Sequence, residues 1–401
     1  SGTALDWIGD AFVWTASAFV ALLIVLAVTP IGNRKLGPPD AEPDFSTASW
    51  LSMLFAAGMG TGLVVWGVAE PLTHALKPPS DGTDVDSMAF LITHFHWGLH
   101  AWAIYGVGAL ILAYFGFVRG TDYLPGSPIR NQFPSSWAAP TAQAADVLAI
   151  LAVAFGVAGS IAMGTMQVHS GLTELFGIPA DSAAVDWGIL ATLFVAYMAS
   201  SATGLDKGIR ILSNLNMMAA IALLCALFWW GGPEGMFTSI VTRTGEYIAA
   251  LPMLCTQLNP FNAPRGWFEG WTLVYMVWWV AWTPFVGIFI ARISRGRTIR
   301  GFVVGVLAVP TLFSLLWFSV FGQIGLNAAA NDPAGFAAIV DGNVTQAMYR
   351  AFDALPAPAL LGGLATLLVS IFLVTSVDSA TFVLGMLTSG GSIHPDASRK
   401  W

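Results

Sequence analysis

Charge is what this 401-residue sequence has least of: Asp, Glu, Lys and Arg make up 10% of positions, against 56% hydrophobic ones. Soluble domains carry about 25% charged residues, so an ordinary water-soluble globule is excluded. Cysteine is nearly absent as well. Cys225 falls in an apolar run and Cys255 in a segment outside one, which excludes a disulfide framework and a metal site built on that pair. The sequence has no basic stripe of the kind that neutralises phosphates, so nothing in it suggests a nucleic-acid partner. The first apolar run lacks a basic leader and a small-residue cleavage site, and it reads as a true span, not a signal peptide. Neither end carries a low-complexity tail.

What the chain has in abundance is apolar length. Nine runs are long enough to cross a bilayer: 11–29, 49–73, 87–117, 145–173, 185–203, 211–231, 267–293, 299–325 and 357–388. The expected fold class is therefore an all-α polytopic membrane protein of about nine transmembrane helices. With the N-terminus outside and the C-terminus inside, the inner face receives Arg34, Lys35, Arg119, Arg130, Lys207, Arg210, Arg292, Arg295, Arg297, Arg300, Arg399 and Lys400, which is 12 of the 16 Lys and Arg. Lys77, Arg243, Arg265 and Arg350 remain outside. That asymmetry sets the orientation. Asp81, Asp84 and Asp86 fall outside, so the net charge of −7 calls for no acidic-site partner.

Three stretches carry chemistry. In the run from Trp271 to Arg300, Trp278, Trp282, Tyr275 and Trp279 lie at roughly 0°, 40°, 60° and 100° around a helix, one electron-rich flank able to face a cation. Pro284 frees a carbonyl in mid-span. In the third run, Trp97, Trp102 and Tyr105 form a second aromatic flank. Two such flanks facing each other would box a quaternary ammonium group, which has no N–H to donate and suits aromatic faces. In the second run, Gly58, Gly60, Gly62 and Gly67 interrupt a helical pattern. In a bilayer that marks a broken helix beside a binding site or close packing through small residues. Glu70 and Pro71 follow at the outer end, where the carboxylate is read as solvated.

Other polar groups leave alternatives open. His94, His96 and His100 lie together, and His96 with His100 has the i, i+4 spacing that can grip a metal; no carboxylate or Cys completes a site within this run, hydrogen-bonded helix packing is the simpler role, and a gating or coupling role is the other alternative. The fourth run holds Ser160, Thr165 and Gln167 but no Lys or Arg. In the last run Thr375, Ser376, Asp378, Ser379 and Thr381 sit in apolar surroundings. An intramembrane carboxylate is a functional candidate by default, and the hydroxyls with carbonyls freed in the second run would suit sodium; back-bonding to their own helix is the simpler role.

Taken together, AAGMGTGLVVWGVAEP (56–71), HFHWGLHAWAIY (94–105), WWVAWTPFVGIFIARISRGRTIR (278–300) and TSVDSAT (375–381) resemble the betaine/choline/carnitine transporter (BCCT) family. The resemblance runs from Asp10 to the last residue. It implies two inverted five-helix repeats in a LeuT-like fold, and so a division into a leading helix and inner loop (1–48), a first repeat (49–231), an outer interfacial helix and loop (232–266) and three helices of a second, incomplete repeat (267–401). It makes Trp97, Trp102, Tyr105 and Trp279 a trimethylammonium cage, with Trp278 and Trp282 along the same pathway and Met59, Gly58, Gly60 and Gly62 beside it. A sodium site would use carbonyls of Ala56, Met59 and Phe372 with the hydroxyls of Thr375 and Ser376. Gly62 resembles betaine-type members; choline-type members tend to have Asp there.

Two departures qualify the resemblance. Val153 and Val157 stand where the family's second sodium site has threonines, which implies one sodium per cycle. The family also has a helix before the first run and two after Trp401, so the chain is expected to be a fragment or a natural short form. The expected function is sodium-coupled symport of glycine betaine or a related zwitterion by alternating access in the plasma or inner membrane, with no cofactor and no enzymatic activity. The resemblance further implies a homotrimer. A sodium-independent, carnitine-type exchanger and a histidine-ligated membrane metalloprotein are the alternatives.

Overall fold

The computed structural model describes residues 4–60, 62–81, 84–133, 135–203 and 210–392, and all of its regular structure is helical. Twelve helices carry the architecture: α1 (Ala4–Val28), α2 (Thr47–Met59), α3 (Gly62–Leu76), α4 (Val85–Trp97), α5 (Leu99–Ala113), α6 (Ala138–Phe176), α7 (Ala183–Thr203), α8 (Arg210–Trp230), α9 (Pro233–Thr256), α10 (Val274–Ile293), α11 (Val309–Asn331) and α12 (Pro358–Thr388). Shorter helices fill the connections.

Among the described residues, eight helices are long and apolar enough to span a membrane. They match eight of the nine expected runs. The second run differs: it is two helices, α2 and α3, of 13 and 15 residues. Gly60 ends α2 at φ 47° and ψ −159°, backbone that a Cβ makes costly, so neither half alone has spanning length. Ser46 caps α2, its Oγ accepting from the Ser49 N–H (3.3 Å), and Asp84 caps α4 through the Ser87 N–H (2.9 Å).

The third run also departs from a plain helix. Gly98 separates α4 from α5, and the buried Tyr247 of α9 fills the step, its hydroxyl accepting from the Leu99 N–H at 3.0 Å. Burial pushes the Tyr247 hydroxyl pKa up, opposed by that N–H. Three π-helical segments lie within spans, at Tyr114–Val118, Glu269–Leu273 and Val304–Ala308. Such bulges are rare and concentrate at functional sites. The fourth helix is longer than its run, 39 residues beginning at Ala138.

Small residues bring the two aromatic flanks together. Helix α10 lies along α5, and at Gly108 an added Cβ would stand 2.5 Å from Thr283 Cγ2. Helix α11 packs on α3, where the buried Trp317 indole donates to the Leu63 carbonyl at 2.9 Å. Helix α12 runs against α6 and α7.

The ion pairs divide the molecule into two faces. On one, Arg292 and Arg295 meet Asp44, the Arg297 guanidinium lies 4.0 Å over Trp50, and Arg300 donates to the Ala27 carbonyl. Desolvation by its surroundings pushes the Arg297 pKa down. At the opposite ends of the helices, Lys77 pairs with Asp341, Arg265 with Asp10 and Glu269, and Arg350 with Asp332 and Asp353. With its eight long apolar helices among the described residues, the chain is a multi-pass membrane protein.

Candidate substrate cavity

A cavity of about 240 Å³ opens between α3, α4, α5, α6, α10 and α12. One wall is α10, where Tyr275, Trp278, Trp279 and Trp282 all line it. The four rings do not form one surface. Trp278 and Trp282 stack in parallel, 6.4 Å apart with planes 7° from each other. Trp279 turns toward the facing helices, its ring 5.3 Å from Trp97 and 5.5 Å from Tyr105, at 78° and 90°. Its indole N–H donates to the His96 carbonyl at 2.9 Å, which fixes the ring. Trp97 and Tyr105 therefore each meet Trp279 edge-on, and all three rings line the cavity.

Trp102 stands elsewhere. It is buried and meets Tyr105 edge-on at 5.8 Å, but it does not line the cavity; it buttresses a wall. Gly60 and Gly62 do line the cavity, and a Cβ on Gly62 would stand 3.3 Å from the Trp97 ring, so that position keeps the ring's approach open. Ala56, Gly58 and Met59 belong to the last turn of α2; beyond that backbone they lie outside the described residues.

The proposed cation ligands on α12 divide similarly. The Thr375 hydroxyl, 1% exposed, donates within its own helix to the carbonyls of Ile371 and Phe372, both at 3.0 Å. Its lone pairs remain available, as does the second lone pair of Phe372. Ser376 Oγ is buried, has no hydrogen-bond partner among the described residues, and faces the break, 3.5 Å from a Cβ built at Gly60. An orphaned hydroxyl beside unwound backbone fits an oxygen-ligated cation. Asp378 is buried and accepts from Ser200 of α7, a bond between helices and not a local one. Val153 is buried within α6, and neither it nor Val157 can supply a ligand oxygen.

Several residues at the cavity carry no expectation from the sequence. Trp66, Trp271, Ser160 and Met163 line it. The larger surprise is Glu70, which is fully buried and not solvated. It accepts from Trp97 Nε1 at 2.6 Å and from the Tyr275 hydroxyl, and it pairs with His96 Nδ1 at 2.7 Å and His74 Nε2 at 3.6 Å. His96 Nε2 reaches Thr272 Oγ1 at 3.0 Å. The i, i+4 pair His96 and His100 does not converge. The Gly98 step turns His100 away to Cys255 (3.6 Å) and the Phe95 ring, while His94 packs near Phe90 and Tyr247. The carboxylate that joins a histidine comes from α3 instead, and Glu70, His74 and His96 place three ligand-type atoms within 4.8 Å of one another.

No charged side chain lines the cavity among the described residues. Such a site can enclose an onium head by its rings and hold a carboxylate by hydroxyls and backbone N–H groups. A comparison with known proteins bears directly on this arrangement: residues 1–401 match the BCCT betaine/carnitine/choline family transporters. The chain belongs to the BCCT family. BCCT proteins are transporters and not enzymes. Among relatives, the glycine betaine transporter OpuD of Bacillus subtilis is 40% identical over 410 residues, covering 100% of this chain and 79% of that protein. A glycine betaine transporter of Acinetobacter baylyi is 36% identical, covering 97% of this chain and 60% of its own length. Glycine betaine transporter 1 of Vibrio parahaemolyticus is 38% identical, covering 97% of this chain and 75% of its own length.

Proposed function

We propose that the protein is a secondary active transporter that couples sodium to the import of glycine betaine or a related quaternary ammonium or sulfonium zwitterion. The observation that carries this reading is the box of Trp97, Tyr105 and Trp279, the first two each edge-on to the third, around a cavity without charged lining among the described residues. A cation held by a ring face gains about 2 kcal/mol when desolvated. The zwitterion's carboxylate would lie toward Gly60 and Gly62, at the N-terminus of α3, where backbone N–H groups and the helix dipole favour an anion.

Sodium would bind between the break and α12, using Ser376 and Thr375 Oγ with the carbonyls of Ala56, Met59 and Phe372. One site touches both the broken helix and the helix facing it. Cation binding there would favour the conformation in which the cavity is formed, which is a coupling free energy between two sites. Alternating access would follow from two inverted repeats, 49–231 and the partial repeat from 267. In support, the first span of each departs from a regular helix, by the Gly60 break in one and the Glu269–Leu273 bulge in the other. The basic face would be cytoplasmic, with the N-terminus of the chain outside.

Uptake of labelled glycine betaine into proteoliposomes, driven by an inward sodium gradient and compared with potassium, tests this reading. Equal uptake in both salts would favour the sodium-independent exchanger. A second reading, a histidine-ligated metal centre, is favoured by the cluster of Glu70, His74 and His96; stoichiometric zinc, copper or iron in the purified protein would support it.

A further inference from the structure

Glu70 is a carboxylate fully enclosed in a membrane helix bundle, with no Lys or Arg in its ion pairs among the described residues. Burying such a charge costs several kcal/mol, and intramembrane carboxylates persist where they serve a function. Its partners are not arbitrary. Both Trp97 and Tyr275 line the cavity with their rings and turn their polar edges, the indole N–H and the phenol O–H, onto the same carboxylate oxygen, Oε2. The other oxygen holds His96, which Thr272 fixes from behind. The carboxylate thus touches the back of two walls while leaving the cavity itself uncharged.

We propose that Glu70 sets the strength and selectivity of the aromatic box, acting through Trp97 and Tyr275; the proposal rests on the cavity being an onium site. A ring's attraction for a cation comes from the negative charge of its π face. Donating N–H or O–H to an ionised carboxylate polarises the bond toward the ring, and in low dielectric such hydrogen bonds reinforce one another. Both rings become better cation acceptors. The carboxylate adds a through-space attraction that solvent does not screen. A salt bridge would give a stronger pull, but it would immobilise a substrate that must leave; a carboxylate one ring removed attracts the onium charge without contacting it. Glu70 is accordingly a positioning residue that discriminates by charge, favouring a cationic head over a neutral one of the same shape.

The test uses two ligands of nearly equal shape: glycine betaine and 3,3-dimethylbutyrate, in which a carbon replaces the quaternary nitrogen. Binding of each is measured at saturating sodium, the analogue by displacement of labelled betaine. In Glu70→Gln, the Kd for betaine is expected to rise by roughly tenfold while that of dimethylbutyrate moves less than about twofold. Tyr275→Phe keeps the ring and removes the O–H, and should raise the betaine Kd by about threefold with the same selectivity. It carries the test alone if Glu70→Gln does not fold. Parallel weakening of both ligands would reduce Glu70 to a scaffold residue, and unchanged betaine affinity in both variants would overturn the proposal outright. Failure of the unsubstituted protein to bind betaine at all would instead refute the functional reading.

Discussion

Replacing Trp279 by alanine removes the one ring that touches every other wall of the box. The side chain is 4% exposed, with ring neighbours at 5.3 Å (Trp97), 5.5 Å (Tyr105) and 6.3 Å (Tyr275). A desolvated cation–π contact is worth about 2 kcal/mol, so loss of this face alone should raise the Kd by about 30-fold. Freed of their common neighbour, Trp97 and Tyr105 also lose edge-to-face contacts of about 0.5–1.5 kcal/mol each, and the observed loss should exceed that figure. Trp279→Phe separates the contributions. It keeps a face but leaves the His96 carbonyl, now 2.9 Å from Nε1, without a donor, costing about 1–3 kcal/mol of stability and less of affinity. Calorimetric titration with glycine betaine in sodium chloride reads both variants, with Trp187→Ala, 72% exposed on α7, as the control. Binding by folded Trp279→Ala within twofold of the parent would refute the box.

Ser376→Ala deletes the orphaned hydroxyl facing the break and should shift half-activation by sodium upward several-fold while leaving potassium controls unaltered; an unchanged sodium curve would remove Ser376 from the site. Gly60→Ala forces a Cβ into a backbone at φ 47°, and should cost about 1–3 kcal/mol, read as a lower melting temperature than Gly266→Ala, where an added Cβ meets nothing within 4 Å. Cys255, outside the spans, has its thiol pKa raised by burial. Thiolate is the reactive form, so maleimide labelling of a Cys225→Ser protein should rise at higher pH than for a free thiol in solution; a curve at or below the free thiol's would contradict it.

Much of this molecule is legible in its sequence because bilayer crossing leaves long signals. Eight of the nine runs are long enough spans in the structure, and the ninth is divided where its glycines announce a break. The aromatic flank of α10 is likewise visible, since a helix of known period fixes which rings share a face. The interruption at Gly98 left no such mark: one glycine costs a helix only about 1 kcal/mol, and nothing local tells a step from a tolerated residue. Trp102 could not be told from a wall residue by angle, because the depth at which Tyr105 screens it depends on how α10 packs. Glu70 was least legible. Its partners His96 and Tyr275 lie 26 and 205 residues away, so its burial follows only from the assembled bundle.

The most direct test of sodium-coupled onium binding is intrinsic tryptophan fluorescence of the purified protein, titrated with glycine betaine in sodium chloride and again in potassium chloride. With Trp97, Trp278, Trp279 and Trp282 all at the cavity, occupancy must perturb the emission. A saturable change in sodium that is lost or much weakened in potassium is the expected result. The same titration curve in both salts would contradict the coupling.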